Sequence, residues 1–264
     1  MTSMKIPADH PRAESLRIRE RLIQHFLDGT VTEAGLIAHG RGEAFDYLLG
    51  EKTTKPALQA IEAAAASLLD AKKPLISVNG NAAALAAEEI VRLAETVNAR
   101  IEVNLFYRSL EREVAVKKLL QKAGAREILG VGENASAVIA ELNSDRRRVD
   151  PRGILAADTV MVLLEDGDRT EALVKMRKKV IAIDLNPLSR TAQKATITIV
   201  DNIVRAAPKL VETTQKLRKK NPRERMEILQ GFDNGNNLTE SLILIRENLS
   251  RTAERTARAA SEDY

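Results

Sequence analysis

The sequence has no cysteine and no tryptophan, and only four phenylalanines and three tyrosines among 264 residues. Without thiols there is no disulfide, thiolate zinc site, iron–sulfur cluster or cysteine nucleophile. So few rings exclude a platform that stacks several bases and leave the core to Ala, Val, Ile and Leu. Charge of one sign is missing too. The 41 basic and 37 acidic residues leave a net +4, and the twelve basic and nine acidic residues from Arg205 onward carry +3 of it. A nucleic-acid groove needs more concentrated charge, so no nucleic-acid partner is expected. The basic run at 216–220 reads as a solvated helix end. No apolar stretch approaches the roughly 18 residues that span a bilayer, and the N-terminus lacks an apolar signal core. A cytoplasmic protein with no membrane partner is expected.

What remains is 44% apolar and 30% charged, which excludes a disordered chain. The length suits one large domain or two small ones. The middle of the chain alternates between two periodicities. Short β-rich runs lie at 75–79, 101–105, 127–129, 160–164, 180–183 and 197–200. Most are continuously apolar, as strands covered on both faces are. Helical patterns fill the gaps at 83–97, 109–123, 134–142 and 170–178. The predicted fold is α/β: a Rossmann-like, mostly parallel sheet with helices on both faces, plus N- and C-terminal helical segments. One domain over 1–264 is expected, made of an N-terminal helical segment (1–72), the core (73–203), C-terminal helices (204–250) and a frayed tail (251–264). Ligands of such sheets bind at the carboxyl edge of the strands.

The flanks read as helices. Pro11 suits a first helical turn, and Leu16, Leu22, Ile23, Phe26 and Leu27 form a stripe that Gly29 ends. A loop is expected over 35–43, pinned by Ile37 and Phe45, and an Ala-rich helix over 55–71. A helix over 204–220 stops before Asn221-Pro222. Asn237 with Glu240 suggests a capping box, leading into a Leu238, Leu242, Ile245, Leu249 seam that packs on the body or on a second subunit.

There is no phosphate-binding P-loop and no complete G-x-G-x-x-G; Gly130-Val131-Gly132 reads as a turn. The three histidines, His10, His25 and His39, lack metal-binding spacing. His39 alone sits in a glycine-rich stretch, and it is equally a structural or a catalytic residue. In His39-Gly40-Arg41-Gly42-Glu43, two glycines would let the backbone approach an anion while Arg41 forks onto it; a surface turn with Arg41 paired to Glu43 is the plainer alternative. Glu165-Asp166-Gly167-Asp168 follows a strand and opens a helix. Its carboxylates could hold Mg²⁺ or an ammonium group, or Asp168 could cap the helix, leaving Asp166 free to face a site. Asp184, at another strand end, suits ribose hydroxyls, with Arg190 near the phosphates and Asn202 reading a base edge.

Longer runs carry a resemblance. They are IPADHPR from Ile6, GLIAHGRGEAFDYLLGE at 35–51, SVNGN at 77–81, EVNLFYR at 102–108, LEDGDRTEALVKM at 164–176, IDLNPLSRTA at 183–192 and ITIVDNI at 197–203. Over about Ile6 to Leu249 the chain resembles the archaeal phosphopantothenate synthetase family. It departs at Arg177, Ser109 and Ala86-Ala87, where that family's pattern has Gly, Thr and a Val-Pro pair. The resemblance implies a homodimeric ligase that joins 4-phosphopantoate to β-alanine with ATP and Mg²⁺, in coenzyme A synthesis, through an acyl-adenylate that yields AMP and diphosphate. It implies ATP contacts from Arg19, Arg41, Asp184, Leu185, Asn186, Arg190, Thr191, Asn202 and Ile203. His39, Asp166 and Asp168 are the candidate catalytic groups. The alternative is a noncatalytic nucleotide-binding regulator whose basic helical tail meets a partner.

Overall fold

A computed structural model describes residues 6, 7 and 9–262. Three helices lead in: α1 (Ala13–Leu27), α2 (Glu33–Leu49) and α3 (Lys55–Asp70). The core follows as β1 (Pro74–Val78), α4 (Gly80–Val97), β2 (Arg100–Val103), α5 (Leu110–Lys122), a small ribbon of β3 (Ala137–Val138) and β4 (Arg148–Val149), then β5 (Thr159–Leu163), α6 (Gly167–Lys175), β6 (Lys179–Ile183), α7 (Arg190–Lys194) and β7 (Ile197–Ile199). Helices α8 (Ile203–Leu217), α9 (Pro222–Gln230) and α10 (Asn234–Glu262) close the chain.

The main sheet runs β2-β1-β5-β6-β7 and every pairing in it is parallel. The continuous apolar strands are buried on both faces, as their composition requires. Alternate residues point to two separate cores. Ile76, Val78, Met161, Leu163, Ile181 and Ile183 join the cluster under α3, α4 and α8. Leu75, Val160, Val162, Val180 and Ala182 join the cluster with Ala172 and Leu173 of α6 and with Ile139, Val149 and Ile154. The chain winds one way from β1 to β2 and the other way from β5 to β7. Right-handed crossovers therefore put α4 on one face and α6 and α7 on the other. The reversal between β1 and β5 is the switch point at which the strand ends splay and a crevice opens. This is the α/β, helix-flanked parallel sheet that the alternating periodicity predicts.

Several local expectations are corrected. The stretch 35–43 is not a loop but the middle of α2. The Thr32 side chain accepts from Gly35 N, and Gly50 closes the other end at φ 87; these caps and tertiary docking outweigh the roughly 0.5–1 kcal/mol that each interior glycine costs. Ile37 pins nothing, since it is 68% exposed. The segment 134–142 is no helix: a short 3₁₀ turn, Gly132–Asn134, ends where it begins, and β3 follows, pairing antiparallel with β4. Residues 127–129 supply only an isolated bridge, Leu129 to Glu102. In α1, Ile18 and Leu22 are buried while Ile23 and Leu27 are exposed. Asn237 is not a cap. Helix α10 already begins at Asn234, Asp233 accepts from Asn236 N (2.7 Å), and Asn237 is buried with Nδ2 donating to Thr198 O (2.8 Å). The frayed tail expected from 251 is helical to Glu262, because Ala, Arg and Glu propagate a helix that is already nucleated; its last two residues lie outside the described ones.

Two of the departures at 86–87 and 177 coincide with backbone irregularities. Ala86 interrupts α4 with a non-helical φ of −148°. Arg177 is held at φ 59, a left-handed conformation that glycine would adopt without strain.

Candidate active site

A cleft of about 610 Å³ opens along the carboxyl ends of the strands. Each strand end contributes: Asn79, Gly80 and Asn81 after β1, Phe106 and Tyr107 after β2, Glu165 and Asp166 after β5, Asp184, Leu185, Asn186 and Ser189 after β6, and Asn202 and Ile203 after β7. Helix α2 forms the opposite wall with Gly35, His39, Arg41, Gly42 and Phe45, while Arg112 and Arg146 complete the lining.

The β1 turn is built for close approach. Asn79 caps α4 by accepting from Ala82 N (3.0 Å), and its Nδ2 donates to Leu163 O (2.7 Å) and Leu164 O (3.0 Å). This amide ties the two strands together across the switch point. A Cβ on Gly80 would sit 2.1 Å from Thr30 O, and one on Gly35 would sit 2.4 Å from Asn81 Oδ1. Only glycine at 80 lets the turn before α2 come this near the start of α4.

After β5 the acids are already paired. Asp166 is the cap of α6, accepting from Arg169 N at 2.9 Å, and its Oδ2 lies 3.0 Å from Arg146 Nε. Glu165 forms ion pairs with Arg146 and with Arg169. Arg169 is fully buried and also donates to Ser77 Oγ (2.9 Å). Burial, only partly offset by neighbouring acids, lowers both guanidiniums to about 10, still charged at neutral pH. Arg146 also lies 5.8 Å from the centre of the Phe106 ring, a cation–π distance. Glu102 sits deeper. Burial pushes its carboxyl up to about 7, although the backbone N–H groups of Asp150 and Ile154 donate to it.

The expected division of labour in 165–168 is inverted. Asp166, not Asp168, caps the helix while still lining the cleft. Asp168 does not line it; it pairs with Arg190 at 2.7 Å on the exposed side of α6. The cap falls on Asp166 because α6 begins at Gly167, two residues earlier than a cap at Asp168 implies.

After β6, Asp184 makes a tight turn. It accepts from Ser189 Oγ (2.5 Å) and Asn186 N (2.9 Å), and burial raises its pKa. Asn186 accepts from Leu188 N. Thr191 is buried, with Oγ1 donating to Glu165 O (2.9 Å), and Arg190 bridges Asp168 and Glu171; neither lines the cleft. After β7, Asn202 caps α8 through Val204 N and donates to Asp46 Oδ2 at 2.9 Å.

On α2, His39 is partly buried. Burial lowers its pKa from the ordinary value, and Glu43 opposes that shift. The imidazole is therefore neutral at pH 7. Glu43 pairs with Arg19 of α1 (2.8 Å) and not with Arg41. Arg41 has no ion pair or side-chain hydrogen bond among the described residues, yet it lines the cleft. The glycine-framed anion nest is excluded because the helix uses those N–H groups. The unpaired guanidinium remains.

The structure thus brings together His39, Arg41, Asp166, Asp184, Leu185, Asn186, Asn202 and Ile203. It keeps Arg19, Asp168, Arg190 and Thr191 off the lining. Residue-level reasoning singled out Glu165 with its acidic run but not Phe106, Tyr107, Arg112 or Arg146 as lining groups. A bulky pair directly after a strand was the available signal for the first two; nothing local marked Arg146 within Arg146-Arg147-Arg148.

Residues 56–248 match the family model for phosphopantothenate/pantothenate synthetase. A 4-phosphopantoate–β-alanine ligase of Thermococcus onnurineus is 50% identical over 252 residues, covering 95% of this chain and 96% of that protein. The protein of the same name from Thermococcus kodakarensis is likewise 50% identical with the same coverage. That from Methanosarcina mazei is 49% identical over 95% of this chain and 98% of its own length.

Proposed function

The chain belongs to the phosphopantothenate/pantothenate synthetase family, and on that premise we propose that it is an ATP-dependent ligase joining 4-phosphopantoate to β-alanine in coenzyme A synthesis. The observation that carries this reading is half-identity to ligases of that name over nearly the whole chain. The switch-point cleft supports it, being large enough for a nucleotide and a second small acid.

The reaction has two steps. A carboxylate oxygen of 4-phosphopantoate attacks the α-phosphorus of ATP; the bond to the β-phosphate breaks and diphosphate leaves. The amine of β-alanine then attacks the acyl carbon, the bond to AMP breaks, and the amine gives up a proton. Arg41, a cation without an acidic partner at the cleft, takes an anionic group of the nucleotide, where a charge-assisted fork is strongest. Asp184 and Asn186 serve the ribose, and Leu185 and Ile203 supply apolar wall. Arg190 reaches the phosphates by leaving its exposed acids, while Thr191 fixes the turn beside it. His39, neutral because it is partly buried, accepts the amine proton. Arg19 sets the α2 face that carries His39 through its pair with Glu43.

The reading includes Mg²⁺ only on the triphosphate. Among the described residues no group of three or more His, Asp or Glu is arranged to hold a metal, and Glu165 and Asp166 are already paired with arginines. No step is routed through the ion. The reading also includes a homodimer, supported by Leu242, Ile243 and Leu249 exposed along α10.

With ATP, 4-phosphopantoate and β-alanine, the protein is expected to release AMP and diphosphate in equal amounts with 4′-phosphopantothenate, sustained only when both acids are present. ADP and phosphate as stoichiometric products would overturn the acyl-adenylate route. Nucleotide binding with no turnover would return the regulator.

A further inference from the structure

Helix α2 carries His39 and Arg41, and its apolar anchors are few: Leu36 packs on the main core, and Phe45 and Leu49 pack beside Leu185 and Val200. Its buried residues are Glu43, Asp46 and Leu49, so two of the three are acids. Ile37 is exposed, and Gly40 and Gly42 weaken the helix interior. The directional contacts that fix its position beside the cleft are those of the two acids.

Asp46 has the richer set. Its carboxylate accepts from Arg205 Nη2 (2.5 Å), from Arg205 Nη1 (3.2 Å) and from Asn202 Nδ2 (2.9 Å). Arg205 is held in turn by Asp201, which accepts from its Nε (3.0 Å) and Nη2 (2.8 Å). The other oxygen of Asp201 accepts from Thr53 Oγ1 (2.7 Å). Asn202 is tied into this network. Its N–H goes to Asp201, its carbonyl to the amides of Arg205 and Ala206, its Oδ1 to Val204 N and its Nδ2 to Asp46. Its side chain has an internal partner at each end, which fixes the direction in which its remaining N–H and lone pair face.

We propose that Asp46 and Arg205 are positioning residues for nucleotide binding: their fork locks α2 to the carboxyl end of β7, so that Arg41 on one wall and the 202–203 turn on the other meet one ligand. The proposal rests on the ligase reading only for the identity of that ligand, ATP. Asp46 touches no reacting atom; it acts through the helix it holds and through Asn202.

The test is Asp46→Asn in the full-length protein. Arg205 keeps Asp201 in this variant, so no buried guanidinium is stranded and the fold is expected to persist. The KM for ATP should rise about ten- to a hundredfold, as loss of charge-assisted bonds implies. The kcat should stay within about threefold, and the KM values for 4-phosphopantoate and β-alanine should not move. Asp46→Glu, which restores the charge at a different reach, should recover part of the ATP KM. The rise in melting temperature that ATP gives the wild type should shrink in Asp46→Asn. An unchanged ATP KM overturns the proposal. So does a joint rise of all three KM values with a lower melting temperature, which marks a merely structural role. If Asp46→Asn does not fold, Arg205→Lys, which keeps charge but loses the fork, is judged by the same criteria. If the wild type makes no AMP, the ligase reading fails, and the ATP-induced melting shift still decides this proposal; a wild type unmoved by ATP overturns it as well.

Discussion

Two helices face each other across the cleft and are held by opposite means. Helix α4 buries ten of its eighteen residues, most of them alanine, leucine, isoleucine or valine, and its cap Asn79 is bonded to the end of β5. Helix α2 buries three of seventeen, two of them acids paired with arginines from α1 and α8. Packing is non-directional and scales with area, so it fixes α4 as part of the core. Ion pairs contribute little net stability, because desolvation offsets their attraction, but they fix geometry. The wall that carries Arg41 and His39 is the one held by directional bonds.

The comparison breaks if stability and activity respond alike on the two helices. The largest expected effect is on the packed side. Ile90, 3% exposed on α4, should cost about 2–5 kcal/mol of unfolding free energy when changed to alanine, with the ATP KM of the folded fraction unchanged; urea unfolding beside steady-state kinetics measures both. Next comes the other wall. Arg41→Lys keeps the charge and loses the fork. It should lower kcat/KM by roughly ten- to a hundredfold, equivalent to about 1.5–3 kcal/mol, with the melting temperature unmoved because Arg41 has no ion pair or side-chain hydrogen bond among the described residues. Intact activity with a lower melting temperature would assign Arg41 to structure. The smallest effect is a control on neither helix. Arg177, exposed at φ 59, should stabilise the protein by about 1 kcal/mol when changed to glycine, leaving all kinetic constants alone. A change in KM there would mean that strain after α6 is transmitted to Asp166.

The sheet was legible because its signal is one-dimensional. Runs such as VMVLL at 160–164 and VIAI at 180–183 state by composition alone that both faces are covered, and alternation with helices then sets parallel pairing. The polar residues at the ends of those runs, Asp184 and Asn202, were legible as a strand edge for the same reason. Helix α2 was misread because Gly40 and Gly42 signal a turn locally, while the caps at Thr32 and Gly50 and the partners of Glu43 and Asp46 lie outside the window in which that signal is read. Arg146 was unreadable for a stronger reason: its partners Glu165 and Asp166 are about twenty residues away and meet it only after the ribbon folds back.

By itself the sequence determined the parallel sheet, the polar strand edge that lines the cleft and the family to which the chain belongs, because hydrophobic periodicity and long residue runs need no knowledge of contacts. Only the tertiary structure decided what each charged residue is free to do. It paired Arg190 with Asp168 and Glu171, bonded Asn202 to Asp46, gave the α6 cap to Asp166 and left Arg41 without a partner among the described residues. The physical reason is that a charge acts through whatever lies within a few ångströms of it, and for these residues those neighbours come from elements far apart along the chain.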